Sequence, residues 1–122
     1  MSRPVIYIAG PYTNPDPAIN VHNAVKVADA LMDGDLAWPV VPHLTHLWHT
    51  IRPRDYLDWI ALDLALLERC DGLIRLQGES PGADGEVARA RELNLPVLDG
   101  VDPGGIYAWS LLDWFNDHWP DR

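Results

Sequence analysis

Apolar residues along this chain follow two spacings, and the change from one to the other marks its elements. Pro4 to Ala9 is a short apolar run with β-branched residues, closed by Gly10-Pro11, and reads as a buried first strand. Positions 10–17 hold Gly, three prolines, Thr and Asn and read as a loop. From 18 to 33 the apolar positions Ile19, Val21, Val25, Val27, Ala28, Leu31 and Met32 keep close to a helical period, and Asp33-Gly34-Asp35 ends it. Leu36 to Val41 reads as a second strand, closed by Pro42, and 43–53 as an irregular or short helical excursion ended by Pro53. Tyr56 to Arg69 is the clearest helix, with Leu57, Ile60, Ala61, Leu64 and Leu67 on one face. Gly72 to Leu76 reads as a third strand, 77–80 as a loop, Pro81 to Leu93 as a helix, Pro96 to Leu98 as a fourth strand, and Gly104 to Trp119 as a final helix.

Strands alternating with helices predict an α/β fold: a three-layer, Rossmann-like or flavodoxin-like parallel sheet with helices on both faces. The 122 residues show no repeat, low-complexity tract or linker, so one domain over 1–122 is expected. Ligands of such sheets bind beyond the carboxyl ends of the strands. That rule selects the loops after Ile8, Val41 and Leu76.

Composition narrows the function classes. A chain that is 48% hydrophobic and 22% charged buries a core and is not disordered. Its formal net charge is −9, with nine basic residues against eighteen acidic ones, which excludes a broad grip on DNA or RNA. A small anionic ligand stays compatible, because backbone N–H groups at a helix start hold anions without a basic patch. Cys70 is the single cysteine, so no internal disulfide forms and no oxidising compartment is implied. The start Met1-Ser2-Arg3-Pro4 is unlike a signal peptide, and no apolar run nears the ~18 residues of a membrane span. A cytoplasmic protein without a membrane partner is expected.

The residues able to do chemistry lie near the three selected loops. Ser80-Pro81 reads as an N-cap with proline at the first helical position, which puts Glu86 about one turn into the helix, where the positive helix end favours an ionised nucleophile. Acidic residues are also common in first turns, so the same pattern describes a capped helix in which Asp84 and Glu86 only complement the dipole. Tyr7, inside the first strand, is either a core residue with a satisfied hydroxyl or a hydrogen-bonding partner at the site. Asp63 sits mid-helix between Leu62 and Leu64, either on a solvated face or aimed at the sheet end as an acid–base group. His43, His46 and His49 recur at spacing three beside Trp48; without a His-Glu-x-x-His or Cys-pair motif they suit a base-stacking pocket better than zinc. Trp109, Trp114 and Trp119 read as core or interface residues.

Taken together, these segments resemble the nucleoside 2-deoxyribosyltransferase family, and within it the branch that hydrolyses 2′-deoxynucleoside 5′-monophosphates. The resemblance runs from Ile6 to about Val97 and rests on Ile6-Tyr7-Ile8-Ala9-Gly10-Pro11-Tyr12-Thr13, on Asp63-Leu64 through Cys70-Asp71-Gly72, and on Ser80 through Glu86 with Ala88, Ala90 and Pro96-Val97. It implies Glu86 as nucleophile, Tyr7 as the group that orients it, and Asp63 as the contact that eases departure of the base. Ser80 falls where the transferases resemble an aspartate and the hydrolases a serine, and a hydroxyl donates to phosphate where a carboxylate repels it. Ser80 with the N–H groups of residues 82–84, and so Gly82 and Asp84, is expected to hold the 5′ end. Gly10, Tyr12, Thr13 and Asn20 are expected around the first loop. His43, His46, Trp48 and Tyr56 are expected to close over the base.

The resemblance thus implies an N-glycosidase acting on a nucleoside or nucleotide through a glycosyl-Glu86 intermediate, without metal or other cofactor, in a homo-oligomer. A base-exchanging deoxyribosyltransferase and a non-catalytic nucleotide-binding module are the alternatives. The Pro-Gly-Gly-x-Gly-Thr loop of the lysine-decarboxylase-like phosphoribohydrolases is missing from this sequence.

Overall fold

The computed structural model describes residues 2–105 and 109–122. Four strands, β1 (Val5–Ala9), β2 (Trp38–Val40), β3 (Gly72–Leu76) and β4 (Val97–Val101), form one sheet in the order β2-β1-β3-β4, every pairing parallel. Five helices connect or follow them: α1 (Pro17–Asp33), α2 (Thr45–Ile51), α3 (Tyr56–Leu67), α4 (Pro81–Glu92) and α5 (Trp109–His118), with short 3₁₀ turns at Pro42–Leu44 and Pro103–Gly105. The fold is the expected α/β arrangement of a parallel sheet between helical layers.

Strand alternation builds the two layers. Ile6, Ile8, Ile74 and Leu76 face α1 and α5, where they meet Ala24, Val27, Leu31, Leu111, Trp114 and Phe115. Tyr7, Ala9 and Leu73 face the other way, against Leu67, Ala83, Val87 and Ala90 of α3 and α4. Neighbouring residues of β1 therefore serve opposite faces.

The element boundaries move for identifiable reasons. Helix α1 starts at Pro17 because Asp16 caps it, its carboxylate accepting from the Ala18 N–H at 2.8 Å. It ends as anticipated, although the left-handed residue of the stop signal is Asp35 (φ 54°) rather than Gly34. Strand β2 is shorter than expected, because the Leu36 N–H is still bonded to the Leu31 carbonyl of the helix end. Strand β4 runs on to Val101 through an irregular register with Gly100 at φ 66°. The anticipated buried face of α3 is a correction: Leu67 is its buried residue, whereas Leu57 is 75% exposed and Ala61 is exposed too. Of the final predicted helix, Gly104 and Gly105 lie in a 3₁₀ turn, 106–108 lie outside the described residues, and the helix proper is α5. Trp114 packs edge-on against Phe115 and Trp119, and the Trp119 indole occupies the space over Gly72, 2.7 Å from where a Cβ would stand. These two tryptophans thus belong to the chain's own core. No described helix is long and apolar enough to cross a membrane.

Candidate active site

Strand β1 lies between β2 and β3, so the chain leaves it in one direction and returns on the other side; a crevice opens at such a switch point, above the carboxyl ends of the strands. The loops after β1 and β3 press together there. Gly78 has φ +117°, and a Cβ on it would stand 2.8 Å from Pro11 Cγ, so conformation and space both require glycine. A Cβ on Gly10 would meet that of Leu76 at 3.1 Å. The resulting cleft is about 610 Å³, within the usual range for small-ligand sites.

At its floor the Tyr7 hydroxyl donates to Glu86 Oε2, joining residues far apart in sequence. Tyr7 is fully buried, and Glu86 reaches it from the second turn of α4. Burial pushes the Glu86 carboxyl up to about 7; the Tyr7 hydrogen bond and the Arg75 charge pull it down, and the Asp63 charge adds to the rise. This corrects the expectation that the helix end keeps Glu86 ionised. Glu86 is the sixth residue of α4, past the first turn over which the dipole acts, so desolvation wins. The Tyr7 phenol is raised far above its ordinary value by burial first and by the neighbouring carboxylates second, so it stays a donor.

Asp63 projects from α3 into the same cleft, where burial raises its carboxyl to about 6, and its Oδ1 is buried without a hydrogen-bond partner. The cleft floor thus holds two carboxyls that each titrate near neutrality.

The remaining sequence-derived residues divide. Gly10, Tyr12, Thr13, His43, Tyr56, Ser80 and Gly82 line the cleft with Glu86 and Asp63. Ser80 caps α4, its Oγ accepting from the Ala83 N–H at 3.1 Å, and its own O–H is left to donate elsewhere. Of the N–H groups expected for the 5′ end, that of Ala83 is taken by Ser80 Oγ and that of Asp84 by the Ser80 carbonyl; that of Gly82 is not used in this way. A Cβ on Gly82 would lie 3.5 Å from the Tyr56 hydroxyl. His43 donates from Nε2 to the Pro11 carbonyl at 3.0 Å, and burial lowers its pKa, so it is a neutral imidazole.

Four residues are placed elsewhere. Asn20 is buried and spends its amide on the Tyr12 and Asn14 carbonyls, both at 2.9 Å, so it staples the first loop instead of facing a ligand. His46 stands behind Tyr12, with Nδ1 2.6 Å from its hydroxyl. Trp48 packs edge-on against Trp59 and is half exposed, outside the cleft wall. Asp84 turns away to an ion pair with Arg75, Nη2 to Oδ1 at 2.9 Å. The three histidines of the run meet three different partners, and among the described residues no three His, Cys, Asp or Glu side chains gather as a metal site.

Sequence reasoning missed Trp59, Ile60 and Arg54, which line the cleft, whereas His49 of the histidine run does line it. Trp59 donates to His49 Nδ1 at 2.8 Å, so the proton of that imidazole sits on Nε2. The signal was present: Tyr56, Trp59, Ile60 and Asp63 follow the three-and-four spacing of a single helix face.

No family model and no curated protein sequence matches this chain. Among solved structures it is similar to a 2-desoxiribosyltransferase from Leishmania mexicana, with a TM-score of 0.57 and 23% identity over 79% of this chain. The match covers 63% of that protein's chain, so the present chain spans less than two thirds of its length. The likeness is one of fold.

Proposed function

We propose that this protein cleaves the N-glycosidic bond of a nucleoside 5′-monophosphate, with Glu86 as nucleophile. The observation that carries the reading is the Tyr7–Glu86 hydrogen bond at the floor of a cleft that also holds a protonatable Asp63. The Glu86 carboxylate attacks the anomeric carbon while the bond from that carbon to the base breaks. The bonding pair leaves on the base nitrogen, and the Asp63 carboxyl supplies the proton that lets the base depart neutral. Water then adds to the anomeric carbon of the glycosyl ester, Glu86 leaves as carboxylate, and the water proton returns to Asp63. Tyr7 fixes the attacking oxygen in place. The hydroxyls of Tyr56 and Ser80 both lie beside Gly82 at the start of α4 and suit a phosphate, and Arg54, 3.3 Å from Asp58, lines the same cleft. A single domain, a homo-oligomer and a cytoplasmic location belong to the same reading. The fold likeness favours one second reading, in which an acceptor base instead of water resolves the ester.

The test is to incubate the protein with ribo- and deoxynucleosides and their 5′-monophosphates, with and without free base. Base released from monophosphates and lost in Glu86→Ala supports the hydrolase. Exchange on unphosphorylated deoxynucleosides moves the protein to the transferases. An alanine variant turning over at the wild-type rate sinks the assignment of Glu86.

Two smaller predictions follow from the site. Ser80→Ala removes the cap of α4, at about 1 kcal/mol in denaturant unfolding. It also raises KM for a monophosphate more than for the matching nucleoside; an equal rise for both means that Ser80 only caps. The pH profile of kcat/KM is expected to be a bell with its maximum between the two carboxyl values, about 6 and about 7. It rises as Glu86 ionises and falls as Asp63 loses its proton, the two limbs belonging to the pair. Asp63→Asn should abolish the alkaline limb and leave one acid limb, that of Glu86 ionisation, no lower in pH than that of the wild type, because Asp63 is already neutral in the reactive form. A profile that keeps its alkaline limb in this variant assigns the acid elsewhere.

A further inference from the structure

Arg75 lies in the middle of an apolar strand, between Ile74 and Leu76, and is 6% exposed. It pairs in register with Ala9 and points to the Tyr7 face of the sheet by strand alternation. A buried guanidinium is tolerated only when its donors are met. Nη1 is bonded to the Leu76 carbonyl and Nη2 to Asp84, two residues before Glu86 on α4. The Asp84 side chain is 71% exposed, so solvent screens that bond, and the buried charge also acts on Glu86.

We propose that the Arg75–Asp84 pair sets the charge of Glu86, with Arg75 as the buried counter-charge of the nucleophile and Asp84 as the group that shares it. The proposal rests on the reading of Glu86 as the nucleophile and adds a pair of positioning residues to it. Three groups from three packed elements bear on Glu86. Tyr7 of β1 donates to it and favours its charge, Asp63 of α3 opposes it, and Arg75 of β3 favours it. Cys70, after α3, and His43, after β2, are kept neutral by burial, the thiol pushed up to about 11 and the imidazole lowered. Glu79 and Arg54 line the cleft from the loops ahead of α4 and α3. Arg75 is thus the cation that the fold sets against desolvation of the nucleophile. Without Asp84, Arg75 keeps the Leu76 carbonyl as its partner and more of its charge acts on Glu86; without Arg75, Glu86 faces burial and Asp63 with only a phenol in support.

The test is carboxyl-carbon NMR of the full chain labelled at glutamate, which carries four such residues, Glu68, Glu79, Glu86 and Glu92. The Glu86 signal is identified by its loss in Glu86→Gln. In the wild type it should titrate at about 7. Arg75→Gln should move the midpoint up by about one pH unit, and Asp84→Asn should move it down. Opposite displacements support the pair. An unmoved midpoint in both variants, or displacement in the same direction, overturns it, because a salt bridge that only pins α4 to β3 lowers stability without a signed change at Glu86. If Arg75→Gln does not fold, the exposed Asp84→Asn decides alone, a downward midpoint supporting the pair and an unmoved one refuting it. Turnover on nucleotides is measured in parallel. Opposite displacements in a wild type that cleaves nothing overturn the glycosidase reading and leave the charge pair standing.

Discussion

Glu86→Gln is expected to lose on the order of 10³- to 10⁵-fold in kcat, with KM for the nucleotide little changed. The amide fits the same space and still accepts from Tyr7, but it cannot form the glycosyl ester of the proposed mechanism. The same variant should be more stable than the wild type at pH 8. The Glu86 carboxyl is raised by folding from 4.5 to about 7, so its proton is held more tightly in the native state. A raised value stabilises the fold fully below the unfolded value, and that contribution is lost as pH rises through the folded one. The wild type therefore weakens between pH 4.5 and about 7, whereas glutamine has no proton to lose. Denaturant unfolding at pH 8 should show Glu86→Gln ahead by about 2 to 3 kcal/mol, with the gap closing toward pH 4.5. Equal stability at pH 8 means that the carboxylate is solvated in the native state.

Tyr7→Phe is the second large effect, on the order of 10²-fold in kcat. Phenylalanine fills the same fully buried site, so the fold survives and the hydroxyl alone is tested. Its loss removes one of the two interactions that favour the Glu86 anion, leaving desolvation and Asp63 less opposed. Because Asp63 titrates at about 6 and Glu86 at about 7, the upper limb of kcat/KM should move to higher pH and the maximum should fall. A rate loss with an unmoved upper limb would falsify the role given to Tyr7 and make it a packing residue.

The layered fold was legible because each strand is a short apolar run bounded by Gly or Pro and the helices over 18–33 and 56–69 carry an obvious period. The buried face of α3 was misread because periodicity tells where a helix is apolar and not which apolar side is covered; Leu57 satisfies the pattern and stands in solvent. At the site, Ser80-Pro81 announced the start of α4, and its cap is the predicted one. The pairing of Tyr7 with Glu86 was not legible from spacing, since it depends on β1 and β3 lying side by side under α4; only the family resemblance linked them. Arg75 gave no signal, because a charge in a strand reads as a solvent-facing position. Asn20 and Asp84 were misplaced for a related reason: a polar side chain near a loop suits a ligand and a neighbouring backbone or guanidinium equally well in sequence, and here the protein's own groups took both. The ionisation of Glu86 was read as too easy because helix position can be read from residues, whereas the depth of burial cannot.

The cleft has walls of two kinds, with different freedom to change over generations. Its floor is anchored in the sheet, where Tyr7 shares five-residue β1 with Ile6 and Ile8 of the opposite core. Drift there disturbs two layers at once. Its roof, from 44 to 60, contains no buried residue, yet it supplies Thr45, His49, Arg54, Tyr56, Trp59 and Ile60 to the lining. A descendant of this chain can change what its cleft accepts by rewriting that stretch alone, keeping Tyr7, Glu86 and most of its folding stability intact.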